Sequence, residues 1–78
     1  MDVKIKIGLR IKALRAKKNL SQNDLAFYIG MDRSYLASVE SGKRNVSIVN
    51  IEKIATALEV SVKVFFEDKN FEEIKELK

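Results

Sequence analysis

Between Gln22 and Asn45 the chain gathers the side chains best suited to specific polar recognition: Gln22, Arg33, Ser34, Tyr35, Ser38, Lys43, Arg44 and Asn45. A guanidinium is a planar fork of donors that matches guanine O6 and N7. Serine hydroxyls bond to base edges or phosphates, and a tyrosine adds a hydroxyl and an apolar face for a thymine methyl. Adjacent cations beside an amide suit phosphate oxygens. On this chemistry Arg33, Ser34, Tyr35 and Ser38 are candidates for base contact. Gln22, Lys43, Arg44 and Asn45 are candidates for phosphate contact. Plainer readings stand beside these. Ser34 and Ser38 can be tolerated surface residues, Tyr35 can pack over the turn before it, and a Lys-Arg pair is common on any surface.

Catalysis is not expected. The chain has no His and no Cys, so it offers no imidazole base, no thiolate nucleophile and no zinc ligand set. Its 78 residues make one domain with little room for a reaction pocket. No cofactor and no metal are implied. The absence of Cys fits a reducing compartment. No apolar run approaches the ~20 residues of a membrane span. The charged N-terminal stretch from Met1 to Lys6 does not read as a signal peptide. A cytoplasmic protein without a membrane partner is the expectation.

The elements that must position the polar set are helices, and their ends are marked. A first helix is predicted from Val3 to Lys18, with Ile7, Ile11 and Leu14 on one face. Four later starts share one signature: an apolar residue, an oxygen-bearing cap, and a second apolar residue four positions after the cap. They are Leu20-Ser21 with Leu25, Met31-Asp32 with Leu36, Val46-Ser47 with Ile51, and Val60-Ser61 with Phe65. This is the hydrophobic staple around an N-cap, and Asp24 can complete a capping box with Ser21. Gly30 and Gly42 supply stops. Two short helices, Ser21 to Ile29 and Asp32 to Ser41, therefore flank a tight turn, the pattern of a helix-turn-helix. A fourth helix carries Ile51, Ile54, Ala55 and Leu58, and a short fifth carries Val62, Phe65 and Phe66. Phe71, Ile74 and Leu77 continue an apolar stripe at helical spacing.

The helix from Asp32 is the predicted reader. Leu36, Val39 and Glu40 fall on its inner face; Arg33, Ser34, Ala37, Ser38 and Ser41 fall on the outer one. That outer face is small and polar with no carboxylate, which lets a helix sink into the major groove. A lone buried Glu40 would be costly, and Arg15 is its predicted partner in a structural salt bridge. Arg15 as a phosphate ligand is the alternative. Charge is uneven in the same sense. Up to Ser47 there are ten Lys/Arg against four Asp/Glu, a net of +6; beyond it there are five against seven, a net of −2. The positive part suits a polyanion.

Leu20-Ser21-Gln22-x-x-Leu25-Ala26, then Gly30, Ser38-x-Glu40-x-Gly42, Leu58-x-Val60-Ser61 and Phe65 resemble the Cro/CI-type (XRE) helix-turn-helix family. The likeness runs from about Ile7 to Phe66. It implies an all-α, five-helix, lambda-repressor-like DNA-binding domain with a short C-terminal helical extension: one domain over 1–78, core 7–66, tail 67–78. It also implies an Arg15–Glu40 bridge and phosphate contact from Gln22. Asp32-Arg33-Ser34-Tyr35-Leu36 and Gly42-Lys43-Arg44-Asn45-Val46-Ser47-Ile48-x-Asn50-Ile51 are similar to the controller proteins of restriction–modification systems. That resemblance implies transcriptional regulation from a palindromic operator in double-stranded DNA, and DNA contacts from Arg33, Ser34, Tyr35 and Arg44.

Two-fold operators call for a homodimer. Its expected interface is the acidic C-terminal part, with Val49, Val62, Phe66 and Phe71 as candidates; the same residues can instead fill the monomer core. A small-molecule ligand is not expected. RNA polymerase is a possible further partner, contacted in some relatives through acidic residues on the second helix, where only Asp24 stands here. Three alternatives stay open: a phage-type or chromosomal repressor, an antitoxin-like module whose main partner is a protein, and a sequence-neutral DNA-coating protein.

Overall fold

Five helices start where a short oxygen-bearing side chain can close the first turn. In the computed structural model, which describes residues 1–72 and 74, they are α1 Val3–Lys18, α2 Gln22–Ile29, α3 Arg33–Glu40, α4 Ile48–Ala57 and α5 Val62–Phe65. Ser21, Ser47 and Ser61 each accept from the amide three residues on, and Asp32 from Ser34 N. Ser21 and Asp24 close a reciprocal capping box, with Asp24 N to Ser21 Oγ at 3.0 Å and Ser21 N to Asp24 Oδ2 at 3.2 Å. Asp2 caps α1 by accepting from Lys4 N at 2.7 Å, a start that the sequence reading did not single out.

The ends are as regular as the starts. After each of the first four helices one residue turns left-handed: Asn19, Gly30, Gly42 and Glu59. The next amide then reaches back five residues, Leu20 N to Arg15 O, Met31 N to Ala26 O, Lys43 N to Ser38 O and Val60 N to Ala55 O. These are Schellman closures, which satisfy the orphan carbonyls of a helix end. Glycine marked two of them. Asn19 and Glu59 do the same without glycine; asparagine is the usual second choice there, and only Glu59 gives no sign of it in the sequence. Leu20, Met31 and Val60 serve twice, closing one helix and stapling the next. That explains why the connections are so short.

The core is one cluster. α1 supplies Ile7, Ile11 and Leu14, α2 Leu25 and Ala26, α3 Leu36 and Val39, and α4 Ile51, Ile54 and Ala55, with Leu58 and Phe65 completing it. The four staple residues Leu20, Met31, Val46 and Val60 pack against its rim. α2 and α3 have eight residues each, too short to persist alone, so their orientation is set by this burial. Each fully buried aliphatic or aromatic side chain contributes about 1.5–3 kcal/mol.

One contact is closer than side chains permit. Gly8, in the middle of α1, is buried, and a Cβ there would fall on the Glu40 carbonyl and within 2.9 Å of the Val39 carbonyl oxygen. α1 thus lies backbone-to-backbone against the end of α3. At the other end of the fold Arg10 reaches from α1 to α5, donating from Nε to Phe65 O at 2.7 Å and from Nη2 to Val64 O at 2.8 Å. Its Nη1 lies 3.6 Å from Asp68.

The C-terminal extension is helical only as a 3₁₀ turn, Lys69–Phe71. Asp68 caps it through Asn70 N. Ile74 is outside any helix and almost fully exposed, so the stripe from Phe71 to Ile74 is not a continued α-helical face. Leu77 lies outside the described residues. There are no strands among the described residues.

Candidate nucleic-acid interface

The second helix of the pair presents its N-terminal turn outward. Arg33 and Ser34 are exposed, Tyr35, Ala37 and Ser38 are half-buried, and Ser41 is exposed. The carboxylates around this face are all engaged. Asp32 caps α3, the Asp24 carboxylate accepts from Ser21 N in the capping box of α2, and Glu40 is inside. Asp24 and Asp32 keep their charge but their oxygens point back at backbone amides, and the Glu40 charge is paired with Arg15, so the outer face itself carries no carboxylate.

The hydroxyls have defined capacities. Ser38 Oγ donates to Ser34 O at 3.0 Å and Ser41 Oγ to Ser38 O at 3.0 Å. Their protons are committed to helix carbonyls, which leaves the oxygens as acceptors. An acceptor there suits the amino groups of adenine or cytosine.

Arg33 is held. Its Nη1 donates to Asn23 Oδ1 on α2 at 3.1 Å. The partner is a neutral amide, so the guanidinium keeps its full charge and four further donors. Asn23 was not singled out in the sequence, and no local signal identifies it, because the contact crosses from one helix to the next. Gln22, beside it at the first position of α2, is half-buried.

Tyr35 has three neighbours of different kinds. Its ring packs against the core rim, the Arg44 guanidinium sits 5.3 Å from the ring centroid, and its hydroxyl accepts from Asn50 Nδ2 at 3.1 Å. The contact of Arg44 with Tyr35 brings together two residues read separately from the sequence, one as a base reader and one as a phosphate clamp. Lys43, Arg44 and Asn45 are exposed in the loop between α3 and α4, beside the reading turn.

The reading helix is fixed from behind by Arg15 and Glu40. Arg15 Nε donates to Glu40 Oε2 at 2.8 Å and Nη2 to Oε1 at 2.7 Å, and Nη1 reaches Leu20 O at 3.0 Å. The Arg15 fork is thereby turned into the fold rather than toward the outer face of α3.

The residues proposed for association divide in two. Val49 is exposed, together with Ile48 and Val64, which the sequence reading did not name for this role. Val62, Phe66 and Phe71 are half-buried. Phe66 lies edge-on to Phe65 and to Phe71, each at 5.0 Å between centroids, so Phe66 and Phe71 cover the core from within one chain. A second exposed apolar feature lies elsewhere. Phe27 and Tyr28 on α2 are 82% and 67% exposed, and Tyr28 borders an open groove of about 730 Å³ with Ile29, Lys53, Thr56 and Ala57. No cluster of His, Cys, Asp or Glu fit for a metal exists among the described residues.

Comparison with known proteins places this geometry. Residues 11–65 match a family model described as helix-turn-helix. Control protein C.MunI from a Mycoplasma species is 47% identical over 68 residues, 86% of this chain and 92% of the relative. The crystal structure of the restriction–modification controller C.AhdI from Aeromonas hydrophila superposes with a TM-score of 0.77 at 52% identity, covering 81% of this chain and 96% of that one. The controller C.Esp1396I, solved as a tetramer with its natural 35-base-pair operator, gives a TM-score of 0.79 at 39% identity, covering 86% of this chain and 88% of that one.

Proposed function

The chain belongs to the helix-turn-helix family, and on that footing we propose that it is a sequence-specific DNA-binding transcriptional regulator, the controller protein of a restriction–modification system. The observation that carries this is the outer face of α3: Arg33 and Ser34 exposed at its start, no free carboxylate, and Lys43 and Arg44 flanking it. Similarity to controllers that include one seated on its operator supports the same reading.

In this mechanism α3 enters the major groove N-terminus first. Arg33, Ser34, Tyr35 and Ser38 contact bases; Gln22, Lys43, Arg44 and Asn45 contact phosphates. Two copies bind a palindrome, joined through Val49, Ile48 and Val64 and through the exposed parts of the half-buried Val62, Phe66 and Phe71. Residues 1–78 act as one domain with its core at 7–66. Occupancy follows protein concentration through the dimer–operator equilibrium, with no effector and no catalysis. The protein works in the cytoplasm. Among the described residues no helix is long and apolar enough to cross a membrane.

The test is selection from a random pool of duplexes of about 30 bp at near-physiological salt, a length that spans two half-sites one helical turn apart. Enrichment of an inverted repeat is expected. Binding that is steeply salt-dependent but enriches nothing would replace this reading with sequence-neutral coating.

One observation favours a protein partner in addition to DNA. Phe27 and Tyr28 stand out from α2 beside an open groove, and exposed apolar patches mark interaction surfaces. RNA polymerase is the partner that this reading of a regulator supplies, approached through the aromatic face because Asp24 is held in the cap of its helix. Phe27→Ala should leave operator binding intact and lower activated transcription. Unchanged transcription would leave this face without a role.

A further inference from the structure

We infer that Asn50 is a positioning residue for DNA recognition, setting the hydroxyl of Tyr35 as a donor; the inference rests on the reading of the chain as a DNA-binding regulator.

A phenol hydroxyl rotates about its C–O bond and can donate or accept. The amide nitrogen of Asn50 can only donate, and it lies 3.1 Å from Tyr35 Oη. The Tyr35 oxygen therefore accepts from within the protein, and its proton is directed away from Asn50. What remains on offer is one O–H donor, the polarity that a phosphate oxygen or a base acceptor requires. The ring is half-buried against the core rim, which favours one orientation, and the Arg44 guanidinium lies 5.3 Å from its centroid. Arg44 in turn has the ring as its surface in an otherwise exposed loop.

Asn50 belongs to α4, outside the helix-turn-helix. Its own backbone amide is held by Ser47 Oγ at 3.1 Å as part of the cap of that helix. That bond does not use the side chain, so Asn50→Ala keeps the cap and favours the helix. Tyr35, Asn50 and Lys53 line one shallow depression beside the turn between α2 and α3. α4 thereby adjusts what α3 presents without touching the ligand.

The experiment is a double-mutant cycle on the selected operator duplex with full-length wild type, Asn50→Ala, Tyr35→Phe and the double variant. Melting curves confirm that each folds. Asn50→Ala should weaken operator binding roughly threefold to tenfold, the scale of one hydrogen bond. Tyr35→Phe should weaken it at least as much. In the Tyr35→Phe background Asn50→Ala should change nothing, because the hydroxyl it acts through is gone. Asn50→Asp gives a second readout. A carboxylate there accepts a hydrogen bond from the Tyr35 hydroxyl and turns its donor inward, so its effect in wild type should exceed its effect in the Tyr35→Phe background, which reads added charge alone. Asn50→Ala binding like wild type, or losses that multiply independently, would overturn the assignment. A wild type that prefers no sequence would instead overturn the functional reading beneath it.

Discussion

Arg15 and Glu40 meet fork to fork, at 2.8 and 2.7 Å, with the Glu40 side chain 1% exposed. The pair joins α1 to the end of the reading helix, and Arg15 Nη1 carries the link on to Leu20 O at the start of α2. One guanidinium, through three hydrogen bonds, therefore ties α1 to α3 and to the residue that leads into α2.

Glu40→Ala should be strongly destabilising. Breaking one partner of a buried pair costs about 3–5 kcal/mol, because the other charge stays in place without compensation. Each kcal/mol moves Tm by roughly 4–8 °C in a domain of this size. Arg15→Lys should recover little, since an ammonium cannot reproduce the fork. Thermal melts of the two variants are the check, and a Glu40→Ala curve that overlays wild type removes the pair from any role in stability.

Gly8→Ala should destabilise the fold despite the better helix propensity of alanine. Propensity alone would add about 1 kcal/mol. The new methyl, however, meets the Glu40 and Val39 carbonyls, and such overpacking costs about 1–3 kcal/mol. Backbone oxygens cannot rotate aside, so α1 must shift from α3. Denaturant titration decides the sign, and a more stable variant would mean that the helices separate without penalty.

Arg10→Met should loosen α5 and the turn after it while leaving the motif intact. It removes two hydrogen bonds to the last carbonyls of α5 and the contact with Asp68. Bonds to charged donors contribute about 1.5–3 kcal/mol each. Hydrogen exchange should rise first at Val64 to Phe71. Uniform acceleration across all helices would show that α5 does not open separately.

Arg33→Ala and Arg44→Ala should differ in kind. Loss of Arg33 should cost about 1–3 kcal/mol on the preferred site and relax the base preference there. Loss of Arg44 should weaken all sequences alike and reduce the salt slope by about one. Titrations on matched and mismatched duplexes at several salt concentrations separate the two. Identical profiles would abolish the division into reader and clamp.

Val49→Glu should yield a monomer. Val49 is exposed, so its replacement should leave the stability of the single chain within about 0.5 kcal/mol. Sedimentation should show half the mass, and operator affinity should fall with the loss of the second half-site. A dimer that survives the change would move the interface elsewhere.

Most of the fold was legible because its information is local. A cap, a staple and a stop each involve residues within five or six positions of one another, so Ser21, Asp32, Ser47 and Ser61 could be read as starts, and Gly30 and Gly42 as stops, before any packing was known. The outer face of α3 was partly legible for the same reason: helical periodicity assigns Ser34 and Ser38 to one side once Leu36 and Val39 are assigned to the other, whereas Arg33, three before Leu36 and seven before Glu40, lies on the inner azimuth and is exposed because it is the first residue of the helix. From the residues themselves Arg15 and Glu40 could be paired only by supposing that a lone inner carboxylate needs a cation; the family resemblance implied the same bridge.

What only the tertiary structure decided are contacts that cross between elements. Asn23 against Arg33, Asn50 against Tyr35, Arg44 over the Tyr35 ring and Arg10 against α5 each depend on the angle at which two helices pack, a quantity absent from any single window of sequence. Gly8 did carry a visible mark, a glycine inside a helix, but the carbonyl it makes room for lies on another helix. Glu59 turns left-handed because Val60 must reach the core, a demand set by burial rather than by its own preference, whereas Asn19 adopts a conformation that asparagine tolerates well. The sequence thus determined the helices and the chemistry of one face, while packing determined how that chemistry is aimed.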